Sequence, residues 1–452
     1  MKPLAVATDA YYEKMTKTPV AKLIVSLGIP TTVSMLITNI YNMADTYFVG
    51  GLGESPQAAT GILFTLQSII QALAFMLGHG SGTYVSKALA DKNVKEASAY
   101  ASTAFFTGAV LGSLLTIFGL IFLKPFVLLL GSTATILPHA MDYGMWVLIS
   151  CPFMVCSLIL NNNLRYEGKA FFAMIGLTTG GVLNIFGDFY LIKICNMGVF
   201  GAGMATAISQ MISFSLLLIL YVRYAQSKIS VKNFTFTPKV HAEIIKGGLP
   251  SLIRQGLTSI SNGILNNYTK PFGDAAIAAM SVVNRFSAFV MCVGLGIGQG
   301  FQPVAAYNYR VREFKRVKKG LTFTMLFGLC LVGTLSAFGF VFAPSIISVF
   351  QKSKAVIDIG TPAIRYACVG LLFMSLTVPI NMLYQSIRKA GIASFLSLLR
   401  SGAMLIPAII LGTHFLGLDG IRLAQPIADA LTGVVCLPFI IHFLKFGGNN
   451  EK

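Results

Sequence analysis

Asp45 and Asp188 are the residues whose type and setting most invite chemistry. Asp45 lies in the apolar stretch 21–49 and Asp188 in the stretch 170–193. A carboxylate at the middle of a membrane helix costs about 2.5–3.5 kcal/mol on insertion scales, so it normally faces a bundle interior or a wet cavity. There it takes up and releases a proton, or it holds a cation. Two carboxylates in one low-dielectric pocket do not both ionise cheaply, which couples their protonation. The plainer alternative for Asp45 is a hydrogen bond that glues neighbouring helices together.

Polar side chains at helical spacing accompany both acids. Asn39, Asn42 and Asp45 follow one another at intervals of three, and Tyr41 stands four residues before Asp45, within reach of a hydrogen bond. Asn184 precedes Asp188 by four and shares its face, as Thr206 does with Gln210 in the next apolar stretch. In the second half of the chain Gln255, Ser259, Asn262 and Asn266 form a seam at 4-3-4 spacing, and Asn381 and Gln385 sit further on. Such amides are unsatisfied against lipid, so they line a cavity or pack against another helix. The cluster Asn161-Asn162-Asn163-Leu164-Arg165 closes another stretch and reads equally as interfacial capping or as a gate.

The elements that must position these groups follow from composition. With 452 residues, 55% hydrophobic and 11% charged, the chain is too apolar for an ordinary soluble globule. Stretches of about 20 apolar residues or more fall near 21–49, 58–80, 97–123, 140–161, 170–193, 198–222, 243–269, 276–300, 320–343, 362–385, 393–416 and 420–444. The expectation is an all-α integral membrane protein with twelve transmembrane helices in two pseudo-symmetric six-helix lobes. The lobes are expected at 1–222 and 247–452, joined by a basic, polar cytoplasmic linker at 223–246.

A net charge of +18 suggests nucleic acid until its distribution is considered. Lys2, Lys14, Lys17, Lys87, Arg165, Arg223, Arg310, Arg388 and Lys452 fall with their basic neighbours on the side shared by both termini, against few residues such as Lys124, Lys270 and Lys352 opposite. The positive-inside rule then places both termini in the cytoplasm. Seven dispersed cysteines, without paired spacing, read as buried thiols. The polar first twenty residues give no sign of a cleavable signal, so the first span is expected to direct insertion.

The chain also repeats. At an offset of 220, Pro30 falls on Pro250, Asn42 on Asn262, Gly53 on Gly273 and Ala58-Ala59 on Ala278-Ala279, while Asp45 is matched by Leu265. With small drifts, Gly78-His79-Gly80-Ser81-Gly82 pairs with Gly296-Ile297-Gly298-Gln299-Gly300, Arg165 and Gly168 with Arg388 and Gly391, and Gly198 and Gly201 with Gly417 and Gly420. Duplication of one helical unit is a signature of transporter architecture. The glycines after Leu77 lack a preceding strand and a following Lys-Ser/Thr, so they read as close helix packing and not as a phosphate loop, with His79 a satisfied structural histidine. Arg254, Arg285 and Arg400 read as snorkelling or paired, Asp429 being an available partner.

The run Met43-Ala44-Asp45-Thr46-Tyr47-Phe48-Val49-Gly50-Gly51-Leu52-Gly53 followed by Ala58-Ala59 resembles the first-helix pattern of the multidrug and toxic compound extrusion (MATE) family. Leu183-Asn184 with Asp188, and Gly201-Ala202-Gly203-Met204-Ala205-Thr206, look like its next most recognisable segments, and the Asn-Asn-Leu-Arg cluster is similar to the bacterial drug-exporting branch. The resemblance spans nearly the whole chain. It implies an antiporter that exports organic, often cationic compounds in exchange for H+ or Na+, with Asp45, Asn184, Asp188 and Thr206 as the cation-coupling group. On the same footing Tyr41, Asn42, Gln210, Gln255, Asn262, Asn266 and Asn381 are expected around the substrate, and Asn162 and Arg165 at a gate. No cofactor is expected beyond the coupling ion, and a metal only if Na+ binds at Asp45 and Asp188. A second-lobe cation site, as in some members, is not expected, because Gln255 and Asn381 are neutral.

The positive-inside pattern fits a bacterial inner membrane, and a monomer is the working expectation. A lipid or lipid-linked oligosaccharide flippase of the same superfamily is the alternative, although it should line its cavity with cations, whereas the first lobe is acidic. An enzyme is not expected, since the five histidines have no recognisable nucleophile partner.

Overall fold

The computed structural model describes residues 4–350 and 353–447, so Lys2, Lys352 and Lys452 lie outside the described residues. Among the described residues, twelve long helices carry the chain: α1 Val20–Gly50, α2 Glu54–Ala90, α3 Val94–Ile121, α4 Leu137–Tyr166, α5 Ala170–Ile194, α6 Gly198–Tyr224, α7 Pro238–Thr269, α8 Asp274–Arg310, α9 Phe314–Val341, α10 Lys354–Ser386, α11 Ala390–Leu416 and α12 Leu418–Phe446. Among the described residues, eleven of these are long and apolar enough to cross a membrane. The exception is α7, which has the length but carries Lys239, Glu243, Lys246 and Arg254 as well as its seam of amides. Large apolar side chains such as Val110, Phe118, Phe186, Ile219 and Val434 are exposed on these helices, as lipid-facing residues must be. Of the seven cysteines, Cys195 and Cys330 are exposed, against the expectation of buried thiols throughout. Cys330 sits on the outward face of the apolar helix α9, where a thiol costs little.

The chain divides into two compact units. One comprises the residues up to Tyr12 with Val33–Gln255, and the other comprises Glu13–Thr32 with the residues from Gly256 onward. The divisions fall inside α1 and α7, each close after its internal proline, Pro30 or Pro250. Proline removes one hydrogen bond of the helical ladder, so the two halves of each helix are loosely coupled there.

Backbone geometry marks the repeat more sharply than sequence letters do. Left-handed residues recur in pairs: Gly53 with Gly273, Lys92 with Arg312 and Gly168 with Arg388, each 220 apart, and Gly198 with Gly417, 219 apart. The Asn161 amide donates to the Ala173 carbonyl at 2.9 Å, and Asn381 repeats the bond to Ala393 at 2.7 Å. Two of the drifting pairings are thereby corrected. Gly168 and not Arg165 corresponds to Arg388, because both residues occupy the left-handed position that ends a helix.

The glycine motif likewise aligns at 220. A Cβ on Gly80 meets the Ile244 carbonyl oxygen at 2.0 Å and the Gly248 nitrogen at 3.1 Å, while a Cβ on Gly300 meets Gly28 backbone at 2.5 Å and the Ile24 oxygen at 2.9 Å. Gly80 therefore matches Gly300, not Gly298. In one unit α2 packs backbone to backbone on the first half of α7, and in the other α8 packs likewise on the first half of α1.

Candidate functional site

The second half of α1 carries Asp45 into the first unit, where α4 supplies its partner: the Tyr143 hydroxyl donates to Asp45 Oδ2 at 2.8 Å and receives the Gln67 amide at 3.4 Å. Tyr41, which the spacing places within reach of Asp45, instead packs its ring against α5, Cδ1 standing 3.1 Å from a Cβ placed on Gly181. Tyr143 escapes sequence reasoning because a lone tyrosine in an apolar helix is an ordinary core residue. Its placement on the face opposite Asp45 is a tertiary fact.

Asp188 is fully buried at the end of the regular part of α5, where the helix loosens into a π-helical turn at Phe189–Ile194. Such turns recur at functional positions. Close approach of α6 makes the site narrow: a Cβ on Gly187 meets Ala205 at 2.9 Å, and one on Gly203 meets Trp146 at 3.0 Å. Asn184 donates to Thr206 Oγ1 at 3.2 Å. Asp45 and Asp188 lie within electrostatic range of each other and of Tyr41 and Tyr143.

Hydrogen bonding around the two acids is incomplete. Asp45 Oδ1 and both carboxylate oxygens of Asp188 are buried without a hydrogen-bond partner, as is Asn184 Oδ1. An unpartnered buried acceptor costs about 1–3 kcal/mol, more if charged. Four acceptor atoms thus lack donors within one cluster, an arrangement that a proton or a small cation relieves. Among the described residues no group of three or more His, Cys, Asp or Glu stands together as a metal site.

The other expected residues are dispersed. Asn42 and Gln210 are half-buried on α1 and α6 of the same unit, and Gln255 is half-buried on α7. Asn262 and Asn266 are both exposed, Asn262 on the wall of a cavity in the second unit. Asn381 gives its amide to Ala393 and to Ser397 Oγ at 2.9 Å, tying α10 to α11. Asn162 and Arg165 are both buried, the guanidinium donating to Asn162 Oδ1 at 2.5 Å. His79 pairs through Nδ1 with Ser251 Oγ at 2.6 Å, while its Nε2 is buried without a partner, so the expected satisfied histidine is satisfied at one ring nitrogen only.

Glu167, which no sequence pattern singles out, is a fully buried carboxylate. It accepts from the backbone of Gln226 at 2.5 Å and of Ser227 at 3.0 Å, and from the Ser227 hydroxyl. Ser98, Ser102 and Thr103 of α3 bond the following backbone at Lys228, Ser230 and Thr235, so the segment after α6 is clamped along its length. Glu167→Gln turns an amide toward these donors and is expected to cost about 1–3 kcal/mol. A lower unfolding temperature and faster proteolysis within 225–237 are the readouts.

Duplicated helices around a buried carboxylate cluster define a polytopic membrane protein of transporter architecture. The MatE family model matches the chain twice, over residues 30–190 and 250–410, at the 220-residue offset of the repeat, and the chain belongs to this family. It is similar to the multidrug export protein MepA of Staphylococcus saprophyticus, 25% identical over 444 residues covering 96% of each chain, and to MepA of Staphylococcus aureus, 25% identical over 438 residues with the same coverage. Its fold matches the outward-facing conformation of a multidrug resistance MATE family transporter of the MOP superfamily with TM-score 0.89 and 24% identity, over 96% of this chain and 97% of that one. It equally matches a MOP superfamily transporter from Pyrococcus furiosus with TM-score 0.89 and 23% identity, over 96% and 98%.

Proposed function

We propose that the protein is a multidrug exporter that moves organic, often cationic compounds outward in exchange for protons by alternating access. The observation that carries this is the cluster of buried carboxylate oxygens without donors at Asp45 and Asp188, with Asp45 oriented by Tyr143. A deprotonated carboxylate in a low-dielectric pocket attracts an organic cation, and protonation removes that attraction. The two events exclude one another at one site, which is the requirement for exchange. Asn184 and Thr206 support the same site. Tyr41, Asn42 and Gln210 contribute polar contacts to the substrate, and Asn162 with Arg165 acts at the gate. The names of the MepA relatives support the substrate class. A membrane potential of 100 mV supplies about 2.3 kcal/mol per charge moved, enough for a gradient of more than tenfold. The protein works as a monomer in the inner membrane with both termini in the cytoplasm.

The test is efflux of a fluorescent organic cation from proteoliposomes holding the purified protein, driven in turn by an imposed proton gradient and an imposed sodium gradient. Proton-driven flux is expected. Flux under sodium alone assigns the coupling ion as Na+ at the same carboxylates, and no flux under either gradient overturns the exchange reading.

A further inference from the structure

The second unit holds a cavity of about 140 Å³, walled by α7, α8, α10, α11 and α12. Its polar lining includes Arg400, Arg422, Gln425 and Asp429, and its apolar lining includes Met280, Val283 and Leu371. Arg400 lies in a π-helical turn of α11, and its Nε donates to Asp429 at 2.8 Å. That pair cancels its own charge. Arg422 is different: it reaches Asp419 at 2.5 Å with one terminal nitrogen, but the Asp419 side chain is 59% exposed and therefore solvated, while Arg422 Nε is buried without an acceptor. The cavity wall thus carries two guanidiniums and one buried carboxylate, and one of those guanidiniums is incompletely paired within the protein.

The repeat shows that the fold does not require these charges. At the 219–220 offset, Arg400 corresponds to Gly180, Arg422 to Gly203 and Asp429 to Gln210, while Gln425 corresponds to Thr206 and Leu265 to Asp45. The first unit builds the same helices around acids and the second around a net positive charge.

We propose that this cavity binds an aryl carboxylate, with Arg422 holding the carboxylate and the apolar wall holding the ring. An apolar cavity of about 150 Å³ accepts benzene, so the ring fits. Guanidinium is the side chain best matched to a carboxylate, through bonds roughly twice as strong as neutral ones. The site widens the chemistry beyond cations to anionic and zwitterionic aromatic compounds.

Equilibrium binding of radiolabelled benzoate to the purified, detergent-solubilised native protein tests this without any flux measurement, so it stands or falls apart from the export reading. Saturable binding is expected, with benzyl alcohol and benzylamine competing at least about tenfold more weakly than unlabelled benzoate. Arg422→Gln, checked for an unchanged unfolding temperature, is expected to weaken benzoate binding about tenfold or more. Absence of saturable binding, equal competition by benzyl alcohol, or full affinity in folded Arg422→Gln overturns the proposal. Should that variant not fold, the competition series on the native protein decides alone.

Discussion

Asp45→Asn is expected to lower proton-driven efflux of an organic cation by about two to three orders of magnitude while leaving the protein folded. The size follows from electrostatics: two unit charges 4 Å apart interact by about 4 kcal/mol at an effective dielectric of 20, and each 1.4 kcal/mol is a factor of ten. The fold should survive because asparagine keeps the volume and an oxygen to accept the Tyr143 hydroxyl. Asp188→Asn should act similarly, since its two carboxylate oxygens have no donor to lose. Tyr143→Phe retains both charges and removes only the orienting bond, so it should reduce the rate without abolishing it. Initial rates in proteoliposomes, set beside unfolding temperatures of the same preparations, check this. Full flux in folded Asp45→Asn would move the coupling away from α1.

The second large effect is on stability. Gly80→Ala and Gly300→Ala are both expected to cost about 3 kcal/mol or more and to leave little monodisperse protein. Overpacking usually costs about 1–3 kcal/mol because side chains adjust. Here the obstructions are backbone: the Ile244 oxygen at 2.0 Å for Gly80, and Gly28 Cα and nitrogen at 2.5 Å for Gly300. No rotamer relieves them, so a whole helix must shift. Gly61→Ala is the control, since nothing lies within 4 Å of its Cβ, and alanine favours the helix. Size-exclusion profiles and unfolding temperatures of the three variants give the comparison. If Gly80→Ala behaves like Gly61→Ala, the backbone contact at Gly80 is not the constraint described.

What was legible in the sequence was whatever carries a large energetic penalty. Acids inside apolar spans are so costly that Asp45 and Asp188 stand out without any structure, and the spans themselves follow from composition. The helix α7 was legible by its pattern and repeat although its hydropathy alone is insufficient. Residues that are inexpensive in several settings are not legible in this way. Asn381 is an amide that serves a cavity or a neighbouring helix equally well, and only its distances to Ala393 and Ser397 separate the two. Tyr143 and Glu167 gain their roles from chains of contact that local patterns do not encode. The glycine motif repeats two positions away from its like letters, because the repeated quantity is the approach of a half-helix. Gly82, the third glycine of the first copy, faces the Tyr166 ring instead. Asp429, in contrast, was legible as a partner for one of three arginines, and the geometry selects Arg400.

The divisions of α1 at Thr32 and of α7 at Gln255 mean that neither repeat completes a unit by itself. Each lends the opening turns of its first helix to the other. This is the connectivity left when two identical chains exchange their leading segments as a swapped dimer and are later fused end to end. Cutting the gene at the linker would therefore yield two fragments that are each missing a strut, and they should accumulate only when produced together.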